Sequence, residues 1–273
     1  MTKLIKIGNV QIGGNKPFVL IAGPCVIESK AQAVQTASRL KSITAKLNIP
    51  FIFKSSYDKA NRTSVDSFRG LGIDEGLDIL YGIKEKLNVP VLSDIHTPEE
   101  IIKAARVLDV IQIPAFLSRQ TNLLLAAGYS KRVVNIKKGQ FLAPWDMKQA
   151  INKVKSTGNN RILLTERGTS FGYNTLITDF RSLAIMRELG YPVVMDASHS
   201  VQQPGGLGKV SGGQREFISL MARCGVAAGC DAVFIETHAN PDKAKSDGPN
   251  MLPLNHMESL LKELKEIDHI VKK

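Results

Sequence analysis

The sequence predicts an α/β protein, a single (β/α)8 barrel of the TIM type with an N-terminal β-hairpin cap. Eight short apolar runs, at 18–22, 50–53, 90–92, 110–113, 133–136, 162–164, 192–195 and 232–235, recur along the 273 residues. They are β-branched and apolar without alternation, as parallel strands buried on both faces require. A helically patterned stretch follows each one. Reading on from each run, the first functional groups are Cys25, Lys54, Asp94, Gln112, Lys137, Arg167, His199 and Glu236. Barrels of this type carry their chemistry at the carboxyl ends of the strands.

Residues 3–12 alternate apolar and polar positions around Gly8-Asn9, which predicts a hairpin within 1–16 that plugs the amino-terminal end of the barrel. Helices are predicted over 29–47, 74–87, 98–107, 118–127, 144–155, 178–188, 214–228 and 255–271. Thr97 precedes Pro98 and is followed three residues on by Glu100, the pattern of a capping box with Pro in the first turn. Gly128, Gly158 and Gly190 read as helix stops. Three connections, 55–73, 200–213 and 237–253, exceed the usual 2–6 residues and read as functional lids, the second being rich in Gly. No linker or low-complexity tract divides the chain, so one domain spanning 1–273 is expected, close to the ~250 residues such a barrel takes.

Composition narrows the function classes. Apolar stretches fall well short of the ~20 residues that cross a bilayer, and the amino terminus has no apolar core of signal-peptide type. A cytoplasmic protein without a membrane partner is therefore expected. Three cysteines without a secretory signal argue for a reducing compartment and against a disulfide framework. Cys224 and Cys230, in or just after an Ala-rich helix, read as buried small hydrophobes; Cys25 stands apart. A net charge of +11 suits nucleic acid, a membrane surface or small anions. The basic residues are scattered over helices, as at Lys262, Lys265, Lys272 and Lys273, and only 6% of residues are aromatic, so a nucleic-acid surface is not expected.

The segment FKSSYDKANRTSVDSFRG carries Lys54, Lys59, Arg62 and Arg69, with Asn61, Thr63 and Ser64 between them. Phosphate binding needs donors converging from one side, and Arg supplies two in a planar fork. Lys137 and Arg167 extend the cationic lining from the fifth and sixth strands, where a desolvated cation is costly without an anionic partner. Lys54, Lys59, Lys137 and Arg167 together suggest a phosphate and a carboxylate on one small substrate.

Cys25, His199, Glu236 and Asp247 form a second group, from the ends of strands one, seven and eight and the last loop. Barrel closure makes the first strand a neighbour of the last. Thiolate, imidazole and carboxylates suit a divalent transition metal, and the mixed set does not choose among Fe2+, Zn2+ and Mn2+. A packing cysteine and a hydrogen-bonded histidine would account for the same residues. His96 and His238 read as supporting or structural.

The segments IAGPCVIES, FKSSYDKANRTS, SFRGLG, SDIH, IQIPAFLSRQT, TERGTSFGYNTL, DASHSVQQPGG and FIETHANPDKAKSDGPNMLPL run in order from about residue 5 to residue 265. Together they resemble the 3-deoxy-D-manno-octulosonate-8-phosphate synthase family. The resemblance implies an aldol-like condensation of phosphoenolpyruvate with D-arabinose 5-phosphate, feeding the lipopolysaccharide core. It implies that Lys54, Lys59, Lys137 and Arg167 hold phosphoenolpyruvate, with His199 completing the catalytic set. Asn61, Arg62, Thr63 and Ser64 would hold the sugar phosphate, with Asp94 and Gln112 contacting substrate. Arg119 would reach the phosphate pocket of a neighbouring subunit, implying a homotetramer. The family has a metal-requiring class with Cys in the AGPC segment and a metal-free class with Asn there, so Cys25 implies the former, with Cys25, His199, Glu236 and Asp247 as ligands.

Thr63 departs from the family's usual Ser but keeps the hydroxyl. The sister synthase that uses erythrose 4-phosphate typically has Lys-Pro-Arg-Thr-Ser here, so Asn61 favours the five-carbon sugar. That synthase and a non-catalytic sugar-phosphate-binding barrel are the alternative readings.

Overall fold

A computed structural model of the chain describes residues 1–62, 64–206 and 212–272. Eight parallel strands form the barrel: β1 (Val19–Gly23), β2 (Phe51–Lys54), β3 (Val91–Asp94), β4 (Val110–Ile113), β5 (Val133–Lys137), β6 (Ile162–Glu166), β7 (Val193–Asp196) and β8 (Ala232–His238). Each pairs with the next, and β8 pairs with β1 to close the ring. The helices are α1 (Lys30–Leu47), α2 (Ile73–Leu87), α3 (Glu100–Val107), α4 (Thr121–Tyr129), α5 (Met147–Lys155), α6 (Arg181–Glu188), α7 (Ile218–Ala227) and α8 (Met257–Val271).

The predicted barrel and its hairpin are both present. Ile5–Ile7 pairs with Val10–Ile12, turning at Gly8 with φ +56°. Its Ile5, Ile7, Val10 and Ile12 join the lower barrel interior, packing with Val19, Ile21, Ile52, Leu92, Val110, Val133, Leu163, Val194, Ala232 and Phe234. The alternate residues of the same strands, among them Leu20, Phe53, Ile111, Ile136, Leu164 and Ile235, face the helices.

Period-two alternation therefore carries each inward row upward from apolar to polar. Ile52 gives way to Lys54, Leu92 to Asp94, Val110 to Gln112, Val133 to Asn135 and Lys137, Leu163 to Thr165, Val194 to Asp196 and Phe234 to Glu236. The apolar floor holds the fold together, and the polar rim is what the floor lifts into the mouth.

Two expectations about helix ends fail. The Thr97 capping box does not form: Glu100 instead accepts the backbone N–H of His96 at 3.0 Å and the Tyr57 hydroxyl at 2.5 Å. Gly128 does not stop its helix. It lies within α4, where a Cβ would press on Thr157 just beyond α5, so it serves close packing. Gly158 and Gly190 do adopt left-handed φ values of +80° and +85° beyond α5 and α6.

The connection after β6 holds a short hairpin, Thr169–Ser170 against Leu176–Ile177, that the sequence reading placed in no element. Within 200–213, Gln202–Gln203 pairs with Gly212–Gly213, and 207–211 lie outside the described residues. Cys230 is buried as expected, whereas Cys224 is only half-buried.

Candidate active site at the carboxyl end of the barrel

Strand register arranges the site. Asp94 stands opposite Gln112, and Gln112 opposite Asn135, on three successive strands. Side chains in register on one face are close enough to bond. Gln112 Nε2 donates to Asp94 Oδ1 at 2.6 Å, Asn135 Nδ2 to Gln112 Oε1 at 2.8 Å, and Thr165 Oγ1 to Asn135 Oδ1 at 2.7 Å. Ser56 adds a hydroxyl to Asp94 Oδ2 at 2.5 Å. Each amide is thus fixed by the next, and the row ends on a carboxylate.

The other half of the rim is ionic. Lys54 Nζ donates to Glu236 Oε1 at 2.7 Å and to the Cys25 carbonyl at 3.1 Å, and lies 3.8 Å from Asp94. Lys137 Nζ donates to Asp196 Oδ2 at 2.7 Å and sits 4.4 Å from the centre of the Phe234 ring. Asp196 accepts the His199 backbone N–H at 2.8 Å and lies 2.8 Å from His199 Nδ1. The other ring nitrogen, Nε2, is 3.6 Å from Glu236 Oε2.

Burial alone would raise the Glu236 and Asp196 carboxyls. The neighbouring cations, Lys54 first for Glu236 and His199 with Lys137 for Asp196, hold both far below the usual carboxylate range.

One cavity opens over this rim. Lys54, Lys59, Asn61, Arg62, Asp94, His96, Lys137, Arg167, His199 and Asp247 border it. Lys54 and Lys137 are tied down by ion pairs, so the unspent donors are those of the loops. Arg167 Nη2 donates to Gln202 at 2.9 Å, while among the described residues its Nη1 is buried without a partner; the Nε of Arg62 is likewise buried and unpaired among them. Burial pulls the Arg167 guanidinium below its ordinary pKa despite Asp196, Glu166 and Asp247 nearby, the state of a cation short of an anion.

Beside the cavity, the ligand atoms of Cys25, Glu236 and Asp247 lie within 4.8 Å of one another. Cys25 is brought there by Gly23, where a Cβ would collide with the Lys54 carbonyl, so β1 can approach β2 only with glycine at that position. Asp247 adopts a left-handed φ of +49°, a conformation Asp tolerates better than most residues. Burial, reinforced by Glu236 and Asp247, pushes the Cys25 thiol well up, so it keeps its proton and hydrogen-bonds Asp247 Oδ2 at 3.1 Å.

Sulfur and two carboxylates, with one oxygen of Glu236, Oε2, buried and without a hydrogen-bond partner among the described residues, make a donor set that fits a divalent cation. Binding would displace the thiol proton. His199 lies outside the mutual 4.8 Å group and approaches it through Glu236.

Not every expected residue reaches the cavity. Gln112 is fully buried beneath it and is joined to it by its bond to Asp94. Ser64 closes a local turn, accepting the Asp66 N–H at 3.3 Å, and Thr63 lies outside the described residues. Arg119 is exposed and does not border the cavity of its own chain. The sequence reading also passed over Asn135, Thr165 and Asp196. They occupy inward positions of β5, β6 and β7, and counting by twos from the inward apolar residues of each strand would have found them.

The family described as DAHP synthetase I matches residues 2–273. The 2-dehydro-3-deoxyphosphooctonate aldolases of Geotalea daltonii and Geobacter metallireducens are each 60% identical to the chain over 272 residues, covering 100% of both proteins. The protein of the same name from Geotalea uraniireducens is 61% identical over the same span. With its barrel, its cationic mouth and this full-length match together, the chain belongs to the DAHP synthetase I family.

Proposed function

We propose that the protein condenses phosphoenolpyruvate with D-arabinose 5-phosphate and water, giving 3-deoxy-D-manno-octulosonate 8-phosphate and inorganic phosphate for the lipopolysaccharide core. The observation that carries this reading is the pair of unpartnered buried guanidinium N–H groups, on Arg62 and Arg167, at one cavity with Lys59 and Asn61. Such donors are expensive to bury and are satisfied by bound phosphate or carboxylate oxygens. The full-length likeness to proteins named for this activity selects the substrates.

Arg167, Lys59 and Lys137 hold phosphoenolpyruvate and neutralise its charge, so that a second anion can enter. Asn61 and Arg62 hold the sugar phosphate, with the hydroxyls of Thr63 and Ser64 proposed as further contacts to it. Asp94, locked by Gln112 and Ser56, accepts a hydroxyl of the sugar. Carbon 3 of phosphoenolpyruvate then bonds to the aldehyde carbon, the aldehyde oxygen takes a proton, water adds at carbon 2, and phosphate leaves with carbon–oxygen cleavage.

Cys25, Glu236 and Asp247, with His199 completing the set, would hold Fe2+, Zn2+ or Mn2+, which supplies orientation and polarisation of the water or the aldehyde. We place the enzyme in the cytoplasm, consistent with the absence of any helix, among the described residues, long and apolar enough to cross a membrane. We also propose a homotetramer, in which the exposed Arg119 serves a neighbour's cavity.

The test is release of inorganic phosphate from phosphoenolpyruvate, with arabinose 5-phosphate or erythrose 4-phosphate, with and without chelator. Release is expected only with the five-carbon sugar and is expected to fall on chelation. Faster release with erythrose 4-phosphate would move the protein to the heptulosonate synthases, and no release with either would leave a binding barrel.

A further inference from the structure

Asp196 is fully buried, and its two carboxylate oxygens take three contacts from two residues that serve different parts of the site. Oδ1 accepts the His199 backbone N–H at 2.8 Å. Oδ2 accepts the Lys137 ammonium at 2.7 Å and lies 2.8 Å from His199 Nδ1. An ionised carboxylate only accepts, so the Nδ1 contact requires that nitrogen to carry the hydrogen. Lys137 Nζ also lies 3.4 Å from Nδ1, but that longer contact would need Nδ1 as an acceptor and would forfeit the shorter, charge-assisted bond to Asp196. Nδ1–H toward Asp196 is therefore the arrangement the geometry supports. It leaves Nε2 as the nitrogen aimed at Glu236 Oε2, 3.6 Å away.

We propose that Asp196 is a positioning residue that couples the two halves of the site. It fixes the His199 tautomer so that Nε2 faces the candidate cation centre, and it anchors the Lys137 ammonium at the wall of the anion cavity. One rigid carboxylate sits behind both, so ordering either partner orders the other. Binding of phosphate at Lys137 and binding of a cation near His199 are then linked through Asp196, and linkage of this kind is reciprocal. The linkage rests on the function proposed above, but the tautomer does not.

The experiment is ¹⁵N NMR of the histidine side chains in the full-length protein treated with chelator, the His199 signal being assigned by its loss in His199→Gln. Wild-type His199 is expected as the Nδ1–H tautomer, and a predominantly Nε2–H ring would overturn the proposal without any further variant. Asp196→Asn keeps the shape and can still accept the His199 backbone N–H, while losing the charge. It is expected to weaken Mn2+ affinity, read by chelator competition, by roughly 10–100-fold, and to abolish the effect of Mn2+ on the dissociation constant for phosphoenolpyruvate.

An Asp196→Asn protein that melts like wild type, with unchanged tautomer and unchanged Mn2+ affinity, would show that Asp196 only caps the turn at His199–Val201. If wild type binds no Mn2+ yet shows the Nδ1–H tautomer and loses it in Asp196→Asn, the metal reading falls and the positioning role stands. If Asp196→Asn does not fold, the wild-type tautomer still decides, and Lys137→Met, which removes the other partner, is expected to loosen His199 and weaken Mn2+ binding in the same direction.

Discussion

Gln112 donates to Asp94 at 2.6 Å from a fully buried position. Its amide is held from behind by Asn135, and that residue by Thr165, so the orientation of one carboxylate at the cavity is decided three strands away. Gln112→Leu keeps much of the volume and removes both bonds, leaving Asp94 Oδ1 and Asn135 Nδ2 buried without partners. Each such orphan costs about 1–3 kcal/mol, which corresponds to a drop of several degrees in melting temperature for a chain of this size. Calorimetry checks the stability. The KM for arabinose 5-phosphate is expected to rise more than that for phosphoenolpyruvate, because Asp94 is the group set loose; a larger rise for phosphoenolpyruvate would put Asp94 on that substrate, and equal changes would remove it from a specific role with the sugar.

Arg62→Ala removes a guanidinium whose Nη1 donates to Ser246 at 2.8 Å and whose Nε has no partner among the described residues. A charge-assisted contact to phosphate of about 1.5–3 kcal/mol corresponds to a rise in KM for the sugar phosphate of roughly ten- to a hundredfold. Steady-state kinetics with each substrate varied in turn is the measurement. An unchanged KM for the sugar phosphate would remove Arg62 from that role.

How far the sequence disclosed this site follows from which physical signal each residue leaves. The strand ends were legible because an apolar run that stops at Lys54, Asp94 or Glu236 is abrupt. Asn135, Thr165 and Asp196 were passed over because they sit inside or at the edge of β-branched runs, where their polarity registers only once the inward parity of the strand is known. The substrate contact of Gln112 is implied by the resemblance alone, because sequence places it near the end of its strand without giving its height in the barrel. The Thr97 box failed for a related reason: Glu100 had a better partner in Tyr57, 43 residues away, which no local pattern contains.

Cys25→Asn and Cys25→Ala separate the cation's role from the cavity's shape. Asparagine can fill the space and hydrogen-bond Ser246 and Asp247, as the thiol does at 3.3 and 3.1 Å. It is also the residue that the metal-free class carries at this place, in the family whose metal-requiring class the sequence resembles. Cys25→Asn is expected to retain activity that chelator does not lower, and Cys25→Ala to lose both cation affinity and activity. Metal content of the dialysed proteins and rates with and without chelator check this. A fully active, chelator-insensitive Cys25→Ala enzyme would remove Cys25 from the ligand set.

Acid stability follows from the carboxylates of the rim. Burial would raise Asp94, but Lys54, Lys59 and Lys137 hold it well below the usual range, and Asp196 is depressed by His199 and Lys137. A folded-state pKa below the unfolded one gives stability that is complete above the unfolded value, about 3.9, and lost as pH falls toward the folded value. Denaturant midpoints are therefore expected to be level between about pH 7 and 5 and to fall below about pH 4, with uptake of protons on unfolding. Asp94→Asn is expected to flatten that acid slope while lowering stability at neutral pH. A slope unchanged by Asp94→Asn would assign the acid sensitivity to other groups.

Lys138 and Glu166 form a buried pair, 3.5 Å apart and each 1% exposed, whose two members have unequal support. Glu166 also accepts the backbone N–H groups of Arg167 at 3.0 Å and Gly168 at 2.7 Å, and the Ser182 hydroxyl at 2.6 Å. Lys138 otherwise has only Thr169 at 3.0 Å and the Leu142 carbonyl at 3.3 Å. Glu166→Gln thus strands an ammonium and loosens the backbone that carries Arg167, and is expected to cost about 3–5 kcal/mol. Lys138→Met leaves a carboxylate with three donors still in place and is expected to cost less. Burial already lowers the Lys138 pKa, so in Glu166→Gln the charged form is disfavoured further, and raising the pH relieves the penalty. Chemical denaturation at pH 7 and pH 9 is expected to show partial recovery for Glu166→Gln and none for Lys138→Met. Equal losses in the two variants, with no recovery at pH 9, would mean that the charge pairing is incidental and the backbone anchoring by Glu166 contributes little.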